Sequence, residues 1–474
     1  EAKNNHIFVP TKTSCNHTNI IIKHFNSTII MHKKLLRSLF VCLLAMTAAI
    51  SCSKGDPAPP PVEISGVTIR NKPASIFENE QARLATEVTP SDITEKYTLE
   101  FSSSKPDVAS VDNQGNIKGL KAGQTVITLS VKEKPSVKDE FTLTVKGDYK
   151  APANTGFVSV GYFPYYRDLT ATAIPDASLK RIDVACYAFA HISEALLPEV
   201  QNPSRLRAFV TRCKALGIKV LISFSGTRDL YVRMAADKTS RDKFIAAVIK
   251  IVEDYNLDGI DNDWEYPSAT TGSHTGNLAM MREFSSYCHA PGANKLLTMA
   301  ITPGIYKGGY TDGIVDDLHQ YVDWYNVMIY GWAAGESEIG KYPTVWSKLE
   351  MSHSYWIETR NMPTSKFVTG IGCYGNPSGI SSTNRTLTYS NVIKQGDALG
   401  RDYSQVNQAE VESTSYPGQK FTIYYDGQPL VAAKTTWSID KNLGGMMFWE
   451  LGQDIHDDRS LVKASYDAKK AAGK

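Results

Sequence analysis

At 474 residues the chain is too long for one average domain and suits two or three. Its composition, 42% hydrophobic and 21% charged with a net charge of +2, is ordinary for a globular protein and argues against a nucleic-acid or strongly acidic partner. The seven cysteines, at 15, 42, 52, 186, 213, 288 and 373, show no CxxC or CxxH spacing, so neither a disulfide framework nor a metal site is predicted, and no cofactor.

Residues 1–30 carry no clear pattern. Met31 opens a more informative run, MHKKLLRSLFVCLLAMTAAISC. His32, Lys33, Lys34 and Arg37 form a positive start, followed by about 14 apolar residues, too few to span a bilayer comfortably. The run closes on Ala49-Ile50-Ser51-Cys52, which resembles a bacterial lipobox. That resemblance implies Met31 as the true start, with residues 1–30 an upstream extension, removal of the signal peptide through Ser51, lipidation of Cys52 as the first mature residue, and a lipid-anchored protein of the bacterial cell envelope. Residues 53–62 (SKGDPAPPPV) read as a Pro-rich tether.

From 63 to 147 short alternating runs separated by turn signals predict an all-β sandwich. Its candidate strands are Val67–Arg70, Arg83–Val88, Tyr97–Ser103, Ala109–Val111, Thr125–Val131 and Glu140–Val145. The stretch FSSSKPDVASVDNQGNIKGLKAGQTVITL resembles the bacterial immunoglobulin-like group 2 domain. The resemblance implies a spacer or adhesive module, and no acid cluster in it suggests catalysis. Residues 146–155 (KGDYKAPANT) read as a linker.

Beyond it, over 156–474, strands and helices alternate. The strand candidates are Phe157–Phe163, Arg181–Ala190, Lys219–Phe224, Gly259–Trp264, Leu296–Thr302, Tyr321–Tyr330, Phe367–Cys373 and Gly444–Trp449. Amphipathic runs such as Pro203–Leu216, Ser240–Tyr255 and Leu278–Cys288 lie between several of them. Eight β/α units in about 325 residues predict a TIM (β/α)8 barrel, because no Gly-rich phosphate loop follows the first strand as a doubly wound sheet would favour. Barrel chemistry sits at the carboxyl ends of strands. Glu265, Tyr330 and Trp449 would then share one rim.

The most informative stretch is DGIDNDWEYP, residues 258–267. On a strand, Asp261, Asp263 and Glu265 point one way, about 6.6 Å apart along the chain, and Ile260, Asn262 and Trp264 the other. Carboxyls so close cannot all ionise at low cost, so at least one pKa rises. That yields a proton donor and a stabilising carboxylate at the same pH. A calcium loop would need Gly at its sixth position, where aromatic residues follow the acids here.

This stretch resembles the DGxDxDxE signature of family 18 glycoside hydrolases, the chitinases and their relatives. KVLISFSG (219–226), LTMAITP (297–303), YVDWYNVMIYG (321–331) and LGGMMFWELGQD (443–454) resemble further family strands, and GYF (161–163) and YAF (187–189) match more loosely. The resemblance implies hydrolysis of β-1,4 bonds at N-acetylglucosamine in chitin or its oligosaccharides, by a retaining mechanism in which the substrate's acetamido oxygen is the nucleophile. It implies Glu265 as general acid and base, Asp263 as the partner of the acetamido group, and Asp261, held by Ser223, sharing a proton with Asp263. Tyr330 would donate to the acetamido oxygen. Trp449 would floor the reacting sugar, assisted by Tyr162, Phe189, Tyr266 and Met328. The protein would act as a monomer. The alternatives are an endo-β-N-acetylglucosaminidase on N-glycan cores and a non-catalytic glycan-binding protein.

Three positions depart from the family pattern: Asn262 for an apolar residue, Ser225 for the first Gly of SxGG, and Gly331 for an Asp. After the seventh strand, a helix-like run (Leu387–Gln395) and a hairpin (Phe421–Tyr425) in place of a compact lobe suggest an open groove.

Overall fold

A computed structural model describes residues 60–305, 307–331, 340–382 and 384–474. The Met31 start, Cys52, the first 52 residues and most of the tether lie outside them. Ile64–Ser91 and Lys96–Lys474 form one compact unit, which holds all the elements below. Among the described residues no helix is long and apolar enough to cross a membrane.

The β-rich part has three sheets. Gly66–Ile69 pairs antiparallel with Thr86–Thr89. Ser75–Phe77, Lys134–Lys146, Gly123–Val131 and Leu99–Ser103 form the second sheet, and Gln81–Arg83, Asn116–Gly119 and Ala109–Val111 the third. Along Gly123–Val131 the alternation is regular: Thr125, Ile127, Leu129 and Val131 are buried and the residues between them are not. Two strands, Ser75–Phe77 and Asn116–Gly119, were not expected, and the Arg83–Val88 run divides between two sheets. Three or four residues are too few for a period of two to show.

The linker is not free. Tyr149 accepts a hydrogen bond from Ser285 Oγ at 2.6 Å, Asp148 pairs with Arg282 at 3.0 Å, and the Ala151 N–H donates to Gln320 O at 2.9 Å. Lys146 pairs with Glu283, and the Arg282 guanidinium lies 3.8 Å from the Phe77 ring centroid. A polar, Pro-containing stretch reads as loose, yet its polar groups find partners on the helix Ser273–Cys288 and beyond.

Eight parallel strands follow: Val158–Pro164, Val184–Ile192, Lys219–Ser225, Gly259–Asn262, Leu296–Ile301, Trp324–Val327, Phe367–Gly372 and Gly445–Trp449. The first pairs with both the second and the eighth, so the sheet closes into a barrel. Helices Pro203–Ala215, Lys238–Asp254 and Ser273–Cys288 lie where amphipathic runs predicted them. Asn202 and Asp237 cap the first two by accepting from Arg205 N and Ser240 N. Side chains divide by strand parity. Val160, Tyr162, Val184, Cys186, Leu221 and Met447 pack together inside the barrel, while Ala185, Tyr187, Ile222, Ile260 and Trp264 join the larger core. Cys186, Cys213, Cys288 and Cys373 are buried free thiols.

Between the seventh and eighth strands the chain does build a lobe, contrary to expectation. Leu387–Thr388, Tyr374–Pro377, Lys420–Tyr425 and Gln408–Glu412 form an antiparallel sheet in that order, accompanied by the helix Tyr389–Ala398. Two of these strands have only two and four residues and leave no periodic trace. Below the lobe, Lys434 and Asp426 form a fully buried ion pair, with Asp426 also accepting from Thr344 N at 3.1 Å. Burial raises the Asp426 carboxyl and lowers the Lys434 ammonium, each opposed by the other's charge. Lys434→Met strands the carboxylate. It is expected to cost about 3–5 kcal/mol, read as a lower denaturant midpoint at pH 7.

Candidate active site

The strand register places Ser223 beside Asp261, and Asp261 beside Thr298, on three neighbouring strands. All three side chains face the barrel interior. Ser223 Oγ donates to Asp261 Oδ2 at 2.7 Å and Thr298 Oγ1 to Oδ1 at 2.5 Å. Tyr162 OH, on the first strand, donates to Oδ2 at 2.7 Å. Asn326 Nδ2, on the sixth, donates to Oδ1 at 3.2 Å and to Tyr162 OH at 3.0 Å. Burial raises the Asp261 pKa, and these four donors oppose the rise. Both Asp261 oxygens are thus occupied by neutral donors.

Regular pairing ends at Asn262, two residues earlier than expected, but the alternation of faces continues. Asp263 is 3% exposed, and its Oδ1 has no hydrogen-bond partner among the described residues. Its pKa stands well above the ordinary range, first through burial, then through the charges of Glu265 and Asp261. Glu265 is reached by water, yet the cleft walls surround its carboxyl. That burial raises its pKa, and a hydrogen bond with Tyr266 pulls it back down. All three acids are therefore shifted upward, each first by burial; crowding predicted a rise in at least one, and at Asp263 the neighbouring carboxylates add to it.

The opposite face explains Asn262. Its Nδ2 donates to Asn277 Oδ1 at 2.9 Å, and its Oδ1 accepts from Trp264 N at 3.1 Å. Trp264 stacks on Tyr231 at 5.2 Å, toward the helices. A buried amide thus joins the catalytic strand to the helix behind it, a pairing invisible until strand and helix are docked.

A cleft of about 700 Å³ opens over the acids. Asp263, Glu265, Tyr266, Met328, Tyr330 and Trp449 line it, as the sequence anticipated. Tyr330 lies three residues beyond the regular sixth strand, and its hydroxyl sits 3.8 Å from Met447 Sδ, a weak acceptor. Tyr330→Phe is expected to lower kcat about 10²-fold with little change in melting temperature, checked by steady-state kinetics and thermal unfolding.

Tyr162, expected to assist at the sugar, does not line the cleft. At 1% exposure its ring lies inside the barrel, 5.5 Å from Trp449 between centroids, and its hydroxyl donates to Asp261. Phe189 stacks on Trp449 at 6.0 Å and supports that ring rather than lining the cleft. Gly331 lines the cleft, and its carbonyl accepts from Tyr374 OH and Asn376 Nδ2, each at 3.1 Å. Ser225 is off the cleft lining, and its carbonyl accepts from Tyr231 OH at 3.1 Å. Sequence reading missed Thr298, Asn326 and the cleft residues Tyr310 and Tyr374. Only Thr298 carried a signal, its place in a strand beside the acid strand.

A closed (β/α)8 barrel with coupled carboxyls beneath an aromatic-lined cleft is the architecture of a glycosidase. The chain belongs to glycosyl hydrolase family 18, whose family model matches residues 158–454. The bacterial Ig-like domain (group 2) model matches residues 63–141. A probable chitinase 10 of Drosophila melanogaster is 25% identical over 65% of this chain and 16% of its own length. Chitinase 1 of Aphanocladium album is 25% identical over 52% of this chain and 65% of its own. A solved family 18 chitinase of Cycas revoluta, in complex with (GlcNAc)3, has the same fold with a TM-score of 0.54 at 24% identity, covering 66% of this chain and 99% of that one.

Proposed function

We propose that the protein hydrolyses β-1,4 bonds at N-acetylglucosamine residues in chitin or chitooligosaccharides, with retention of configuration. One observation carries the reading: among the described residues the buried Asp263 carboxyl leaves Oδ1 without a partner, beside a cleft lined by Trp449. A buried acceptor calls for a donor, and the N–H of a 2-acetamido group supplies one. Bound this way, the acetamido oxygen attacks the anomeric carbon as the glycosidic bond breaks and Glu265 gives its proton to the departing oxygen. Asp263 steadies the positive cyclic intermediate, and Tyr330 donates to the acetamido oxygen. Glu265, now a carboxylate, takes a proton from water, which opens the ring from the same face. Asp261 acts through charge on Asp263, its own oxygens being taken by four donors.

The test is product analysis on a defined chitotetraose. Shorter oligosaccharides, first formed as β-anomers, are expected. Clean removal of a high-mannose glycan from a glycoprotein, leaving one sugar, would favour an endo-β-N-acetylglucosaminidase. Tight binding without turnover over a wide pH range would favour a glycan-binding protein. The lipobox-like run before Cys52 supports the further proposal of a lipoprotein held at the bacterial cell envelope.

A further inference from the structure

Regular pairing of the acid strand stops at Asn262, yet two of the three acids lie beyond it. Asp261 sits within the ladder and is held by four donors. Asp263 and Glu265 stand on the stretch that follows. Its backbone is tied at two points: Asp263 N donates to Phe224 O at 3.0 Å, and Trp264 N donates to Asn262 Oδ1 at 3.1 Å. The second tie exists because the residue between the two aspartates is an amide, where the family pattern has an apolar residue.

That bond also settles which way the amide points. A backbone N–H can only donate, so the Asn262 oxygen faces Trp264 and its Nδ2 faces the helix Ser273–Cys288. There Nδ2 donates to Asn277 Oδ1 at 2.9 Å and lies 3.3 Å from Sδ of Met281, one turn further on. The Asn277 oxygen is thus turned toward the strand, and among the described residues its Nδ2 has no partner. The helix is a firm anchor. A Cβ at Gly276 would overlap Ala235 O, so the helix lies directly on the backbone of its neighbour, and Arg282 and Ser285 hold it to the linker. Both asparagines are fully buried, and an unpaired buried donor detracts from stability. Two leucines, branched at Cγ as asparagine is, would fill the same space without that penalty. What leucines cannot supply is direction. One amide bond fixes the chain at Trp264, between Asp263 and Glu265, and the other fixes that corner to the helix.

We propose that Asn262, anchored by Asn277, is a positioning residue: through the Trp264 backbone it holds Asp263 and Glu265 at the spacing the reaction needs. The assignment rests on the hydrolase reading above. The decisive variant is Asn262→Leu/Asn277→Leu, which removes both bonds and strands neither partner side chain. Its kcat on chitotetraose is expected to fall about tenfold, with KM within about twofold of wild type. Its melting temperature should equal or exceed that of wild type. Asn277→Leu alone keeps the tie to Trp264 but frees it from the helix, and should lower kcat about threefold. Stability and activity thus part in the double variant, which packing alone would not produce. A double variant with the wild-type kcat overturns the positioning role and leaves the hydrolase reading intact. A double variant that melts well below wild type, or does not fold, overturns it in favour of packing. A wild-type protein that cuts no chitooligosaccharide overturns both.

Discussion

Glu265→Gln is expected to lower kcat on chitotetraose about 10³-fold, with the melting temperature unchanged. In the proposed mechanism the carboxyl is the proton source for the leaving oxygen, and an amide of the same shape cannot supply it. The raised Glu265 pKa sets the sign of the pH effect. The wild-type rate falls as pH rises through that pKa, because the acid form is lost. In Glu265→Gln this alkaline limb disappears from the residual rate. The acid-side limb belongs to the coupled carboxyls as a group, and a flat wild-type profile there would contradict their crowding. Equal rates for the variant and wild type would remove Glu265 as the acid.

Asp263→Asn is expected to move activity and stability in opposite directions. kcat is expected to fall about 10²-fold or more, because in the proposed mechanism a neutral amide no longer balances the positive intermediate. Stability rises at neutral and alkaline pH. The folded-state pKa of Asp263 lies above its unfolded value, through burial and the nearby charges of Glu265 and Asp261. Its contribution to stability is therefore complete below the unfolded pKa and is lost as pH rises through the folded one. Asparagine does not titrate and escapes that loss. The melting temperature of the variant should exceed that of wild type at about pH 8, and the gap should close toward about pH 4. A gap that widens on acidification would show that the carboxylate is instead stabilised in the fold. Such a trade of stability for activity is common where like charges are gathered for chemistry.

Features that depend on neighbours along the chain could be read early; those that depend on distant residues could not. The acid face of DGIDNDWEYP follows from a two-residue period along one strand, so its three carboxyls and the outward Trp264 could be placed from the chain alone. Barrel strands of five or more residues with apolar runs were found within a few residues of their observed bounds; the fourth and sixth, at four residues each, were overextended. Very short strands, at Ser75–Phe77 and in the lobe before the eighth barrel strand, escaped altogether. Tyr162 was assigned to the sugar for the same reason: a tyrosine near a strand end gives no sign of how deep its hydroxyl will sit.

Order along the chain was enough to specify the eight-strand barrel, the acids and the direction each points, because these depend on spacing within single elements. Closure of the barrel decided the rest. It brought Tyr162, Ser223, Thr298 and Asn326 from four strands onto one carboxylate, docked Asn262 on Asn277, and set Tyr310 beside Tyr266. Those contacts join residues up to 99 positions apart, and a hydrogen bond over such a separation exists only after the sheet has chosen its register.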